Sequence, residues 1–111
     1  IFNGDISSWD VSSVTTLSNT FKKAYMFDND ISRWDVSLVE SMYLTFSEAS
    51  IFNKGISSWD VSLVISMHSM FRDAAEFRQE MCEWNLEDIN VGEIFTNSKC
   101  TIAVCVDCPS S

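Results

Sequence analysis

The sequence predicts an α/β repeat solenoid of four coils with a period of about 25 residues, each a short strand plus a short helix. Three observations predict it. Large apolar residues recur at a fixed interval, from i to i+25. A short alternating segment opens each unit, and a segment with helical spacing follows it. At 111 residues the chain is about one small domain, and at 46% apolar it has an ordinary globular composition.

The columns carry the first observation. Phe2, Phe27, Phe52 and Phe77 stand one period apart, as do Trp9, Trp34, Trp59 and Trp84. Ile6, Ile31, Ile56 and Met81 form another column, and Val11, Val36, Val61 and Leu86 another. Val14, Val39, Val64 and Ile89 add one more, while Phe21, Phe46, Phe71 and Ala24, Ala49, Ala74 recur in three units. A unit this short cannot close its own core, so units must stack and each column becomes a ladder of side chains. The units run near 2–26, 27–51, 52–76 and 77–96, a solenoid over 1–96, with a Cys-containing C-terminal cap over 97–111.

Within the unit, Asp5-Ile6-Ser7 alternates like a brief strand. From Ser12 the spacing changes. Val39, Met42, Phe46 and Ala49 fall on one face of a short helix, and Val64, Met67, Phe71 and Ala74 repeat it. Ser12, Ser37 and Ser62 are placed to cap those helices, and Ser37-Leu38-Val39-Glu40 fits a capping box. The fourth unit departs from the pattern. It reads Trp84-Asn85-Leu86-Glu87, Gly92 replaces the helix Met, and Phe95 comes one residue early, which implies a deletion. A degraded terminal unit is what an end cap looks like. The chain begins mid-motif without an initiator Met and reads as a piece of a longer or processed chain.

Ile-Ser-Ser-Trp-Asp-Val-Ser and the later Met67-His68-Ser69-Met70-Phe71 resemble the repeats of BspA-like leucine-rich-repeat surface proteins. They resemble still more the W-D-V-S repeat of mycoplasma-type surface lipoproteins, which is also common in microalgal proteins. The resemblance runs from residue 1 to about residue 90. It implies a right-handed, leucine-rich-repeat-like solenoid at a cell surface or in secretion, and it brings no catalytic residues.

Charge narrows the function classes. Sixteen acids against seven Lys and Arg give a net charge of −9. That balance argues against a duplex nucleic-acid partner and an anionic leaflet, which need clustered cations. No apolar run reaches the ~20 residues of a spanning helix, so no membrane span is expected.

All four cysteines, Cys82, Cys100, Cys105 and Cys108, lie in the last thirty residues. They are disulfide candidates that would staple the end of the solenoid in an oxidising compartment, with three pairings open. A four-thiolate zinc knot and an iron–sulfur site are the alternatives. A thioredoxin-like role would need a βαβ context that the sequence lacks. Asp10, Asp35 and Asp60 are expected to accept backbone N–H groups at turns, with a row of calcium ligands as the alternative. His68 stands without a second His or a motif Ser or Cys, so no triad is supported. There is no phosphate-binding Gly loop and no N-x-Ser/Thr sequon, and a flat ice-binding face lacks Thr ladders.

Two faces remain as candidate partner contacts. Strand positions flanking Ile6 give an acidic, polar face with Asp5, Asp30, Ser7, Ser32 and Ser57, beside Asn3, Asp28 and Asn53. On the helical side Tyr43, Leu44 and Ile65 are expected at the surface, while Leu38 and Leu63 either widen the core or join them. The function expected is non-enzymatic protein–protein binding or adhesion by a secreted or cell-surface protein, extracellular or in an organellar lumen, with no cofactor. The alternatives are a structural accessory subunit of a larger assembly, or a Cys-cluster metal or redox module.

Overall fold

The first residues of each unit close into reverse turns. Asp5 Oδ1 accepts the Ser7 amide at 3.0 Å and its hydroxyl at 2.8 Å. The Trp9 amide then donates to the Ile6 carbonyl at 3.0 Å. Asp10 holds the Ser12 amide in the same way at 3.0 Å, and the Val14 amide donates to Val11 at 3.0 Å. Asp30, Asp35 and Asp60 repeat the contact with Ser32, Ser37 and Ser62. An aspartate that binds the backbone two residues on competes directly with a strand ladder. The alternation around Asp5-Ile6-Ser7 is therefore that of a turn. A computed structural model describes residues 5–108 of the chain, so Phe2 and Asn3 lie outside the described residues.

The expected helices do not form either. Asn19, Lys23, Leu44, Glu48, Ser69, Asp73, Glu93 and Asn97 all have φ between 54° and 64°. A left-handed residue every fourth position is incompatible with an α-helix. Between these residues the backbone runs in short turns, with Thr20 donating to Leu17 at 3.1 Å and Ala24 to Phe21 at 3.0 Å. Alternate amides leave the segment altogether. Leu17, Asn19, Phe21 and Lys23 donate to Ser41, Tyr43, Thr45 and Ser47 at 2.8–3.0 Å. In an α-helix those amides would be spent inside the segment. Ser12-Ser13-Val14-Thr15-Thr16 has the low helix propensity that favours this outcome. Ser37, the expected capping-box residue, instead gives both its amide and its hydroxyl to Asp35.

The leucine-rich-repeat-like α/β solenoid of strand-and-helix coils is thus overturned. Among the described residues, helix is limited to one π-type turn, Ile102–Val106. Extended pairing is limited to isolated parallel bridges between Thr16 and Ser41, Ser41 and Ser66, and Ser66 and Asn90. No sheet is built from them, and the chain is a compact body of 36 × 27 × 25 Å.

The core is filled by the apolar columns. Phe46 is fully buried, with its ring 5.4 Å from Phe21, 5.5 Å from Phe71 and 4.3 Å from Phe52. Val39, Met42 and Ala49 are buried beside it. Consecutive turns direct these positions inward at a spacing close to that of a helix face, which is why the pattern reads as helical. Trp34, Trp59 and Trp84 are buried, whereas Trp9 is 56% exposed. Trp34 Nε1 donates to the Ile6 carbonyl and Trp59 Nε1 to the Ile31 carbonyl, each at 3.0 Å. Trp84 Nε1 is buried without a partner among the described residues.

The deletion in the last unit falls beside Asn90. Asn90 and Ser41 both pair with Ser66, and Asn90 stands one position nearer to it along the chain than Ser41 does. Val91 therefore takes the Met42 and Met67 place, and Gly92 takes that of Tyr43 and His68. This corrects the assignment of Gly92 to the Met column. A Cβ on Gly92 would lie 2.8 Å from His68 Cδ2, so a side chain there would have to displace the His68 ring.

Candidate interaction surface

The acidic face is built from the aspartate turns. Asp5, Ser7, Asn29, Asp30 and Arg33 line one open groove of about 510 Å³. The Ser7 amide, and then its hydroxyl, holds the Asp5 carboxyl below its ordinary value, and Ser32 does the same for Asp30. At Asp10, Asp35 and Asp60 the serine hydroxyl is the larger cause and the amide the second. Each carboxylate is thus satisfied two residues away, the arrangement expected for Asp10, Asp35 and Asp60 as turn residues. Ser32 is half-buried and does not line the groove, and Ser58 Oγ donates to its carbonyl at 3.2 Å. Ser57 is exposed and does not line the groove.

The opposite expectation concerned apolar residues, and here the structure separates them. Ile65 is 67% exposed, and Leu38 and Leu63 are 46% and 48% exposed. These two leucines are surface residues and do not widen the core. Tyr43 is exposed, with its ring centroid 5.8 Å from that of His68. Leu44, by contrast, is half-buried in a left-handed turn, where its amide donates to the His68 carbonyl at 3.1 Å. The backbone explains why the leucines and isoleucine come together. Glu40 donates to Thr15, Ile65 to Glu40, and Asn90 to Ile65, at 2.7–3.1 Å. Leu38 and Leu63 each lie two residues before a member of that row. Leu63, Ile65 and the half-buried Ile89 share a groove with Asn85, Glu87 and Asp88. Ile89 as a surface contributor was missed in the sequence, because its column is buried at Val39 and Val64.

The cysteines pair as Cys82–Cys108 and Cys100–Cys105. The zinc and iron–sulfur alternatives lose their thiolate donors to these bonds. The Met81 amide donates to the Cys105 carbonyl at 2.6 Å, so the last residues are tied down by backbone as well as sulfur. Thr101 Oγ1 accepts the Val104 amide at the start of the helical turn.

His68 has neighbours that the sequence did not reveal. Ser69 Oγ lies 3.0 Å from Nδ1, and Glu93 Oε2 lies 4.0 Å from Nε2. Ser69 itself is buried. The Glu93 contact is longer than a hydrogen bond. The Ser69 contact at Nδ1 holds the ring against Gly92.

No helix among the described residues is long and apolar enough to cross a membrane. The family described as "Mycoplasma protein of unknown function, DUF285" matches residues 1–103, and the chain belongs to that family. No curated protein and no solved structure matches the chain.

Proposed function

We propose that the chain is a non-enzymatic protein-binding or adhesion module of a secreted or cell-surface protein. The observation that supports this reading is the exposed row of Leu38, Leu63 and Ile65 on a body tied by two disulfides. Large apolar side chains grouped at a surface gain free energy when a partner covers them. Fixed backbone turns hold them with little further ordering cost on binding. Two disulfides also favour an oxidising compartment, either extracellular or an organellar lumen. A second exposed set, Tyr25, Met26 and Ile51, favours the alternative of an accessory subunit held at more than one place.

The test is retention of extracellular proteins on immobilised chain. Saturable retention that soluble chain competes away, and that L63S/I65S abolishes, supports the reading. Retention that is non-saturable, or unchanged in L63S/I65S, overturns it. A stable stoichiometric complex would favour the accessory-subunit form.

A further inference from the structure

Leu63, Ile65 and Ile89 line an open groove of about 440 Å³ together with Asn85, Glu87 and Asp88. Asn85 Oδ1 accepts the Glu87 amide at 3.0 Å, which fixes the turn that carries both acids. On the other side of Ile65 stands Glu40, whose carbonyl accepts the Ile65 amide at 2.8 Å. Glu87 and Asp88 thus line the groove itself, and Glu40 borders the apolar strip through its backbone at Ile65. Glu40, Glu87 and Asp88 are exposed, and none has a Lys, Arg or His at ion-pair distance among the described residues. Elsewhere acids do pair, as in Lys54–Asp28 and Lys99–Glu76. The groove thus offers apolar contact with uncompensated negative charge on its rim.

Deepening the protein-binding reading, on which it rests, we propose that this groove takes a cationic amphipathic segment of a protein partner. Its apolar side chains lie on Leu63, Ile65 and Ile89, and its Lys or Arg side chains face Glu87, Asp88 and Glu40. Charge complementarity selects this occupant. A chain of net charge −9 steers cations toward itself and repels its own copies. A second copy laid on the groove would also bring the same three carboxylates against these. An anionic lipid surface is repelled in the same way.

The probe is a synthetic peptide of leucine and lysine, compared with its leucine–glutamate counterpart, titrated into the intact oxidised chain. The lysine peptide binds saturably and the glutamate peptide does not. E87Q/D88N weakens binding about fivefold and flattens its salt dependence, since exposed pairs contribute little each and are screened. E48Q/E80Q removes the same charge elsewhere and leaves binding unchanged, and L63S/I65S abolishes it. Equal loss in E48Q/E80Q and E87Q/D88N overturns the groove assignment and leaves only diffuse attraction. Equal binding of both peptides, with loss only in L63S/I65S, overturns the cationic occupant while the protein-binding reading stands. Binding that survives L63S/I65S overturns both. Circular dichroism and thermal midpoints confirm that each variant is folded.

Discussion

Replacing Trp59 and Trp84 by phenylalanine should cost very different amounts, although both indoles are buried to the same degree. Trp59 is 4% exposed and Trp84 is 5% exposed, so each substitution removes a similar volume from a similar environment. The difference lies at Nε1. In Trp59 it donates to the Ile31 carbonyl at 3.0 Å, and in Trp84 it is buried without a partner among the described residues. Losing a made hydrogen bond costs about 1 kcal/mol net, and removing a buried unpaired donor relieves a penalty of about 1–3 kcal/mol. The Ile31 carbonyl keeps the Trp34 amide after the substitution, so no second orphan is created. The cavity contribution is common to both and cancels in the comparison. W59F should therefore be less stable than W84F by about 2–4 kcal/mol. Urea denaturation followed by far-ultraviolet circular dichroism reads this difference without depending on the altered indole. Equal losses, or a larger loss in W84F, would refute the reasoning.

Other outcomes follow from the same contacts. The carboxyls of Asp5, Asp10, Asp30, Asp35 and Asp60 are lowered from an ordinary value of 3.8. Depressed folded values mean that the unfolded chain binds more protons in acid, so this stabilisation is present above pH 3.8 and is lost as pH falls through the folded values. A D10N/D35N/D60N variant should show a shallower acid unfolding profile, measured by fluorescence between neutral pH and strong acid. Removing Cys82–Cys108, whose partners are 26 apart in sequence, should cost about 3.5 kcal/mol by chain entropy. Removing Cys100–Cys105, whose partners are five apart, should cost about 2 kcal/mol. Urea midpoints of the paired Cys→Ser variants check the order. G92A should cost about 1 kcal/mol because its Cβ meets the His68 ring and Asn90 Oδ1, and most of the loss should disappear in an H68A background. A cycle that shows no coupling would contradict that contact.

The sequence made the core legible before it made the backbone legible. Val39, Met42, Phe46 and Ala49 are all buried, as their column positions require. Their helical spacing nevertheless arises from serial turns, and apolar period alone does not separate the two when inward positions recur every three or four residues. The physical clue was local. Each Asp two residues before a Ser offers an Asx turn, and Asn19 is a residue type that tolerates left-handed backbone. Lys23, Leu44 and Glu48 carry no such clue, and their conformation is set by the lateral hydrogen bonds to neighbouring segments. The cysteines were readable as disulfides but not their pairing, since four cysteines allow three patterns. At the surface, Tyr43 and Ile65 could be placed outside from their offset to the buried stripe. Leu38 and Leu63 could not, because one residue beside a buried valine can face either way in a turn.

The most direct measurement of the interaction surface is backbone-amide chemical-shift mapping of the oxidised chain during titration with the leucine–lysine peptide. The account predicts shifts concentrated at Leu38, Leu63, Ile65 and Ile89, with Glu87 and Asp88 moving together with them. Shifts centred on Asp5, Ser7 and Asp30, with the Leu63–Ile65 groove silent, would place the contact on the acidic face and contradict it.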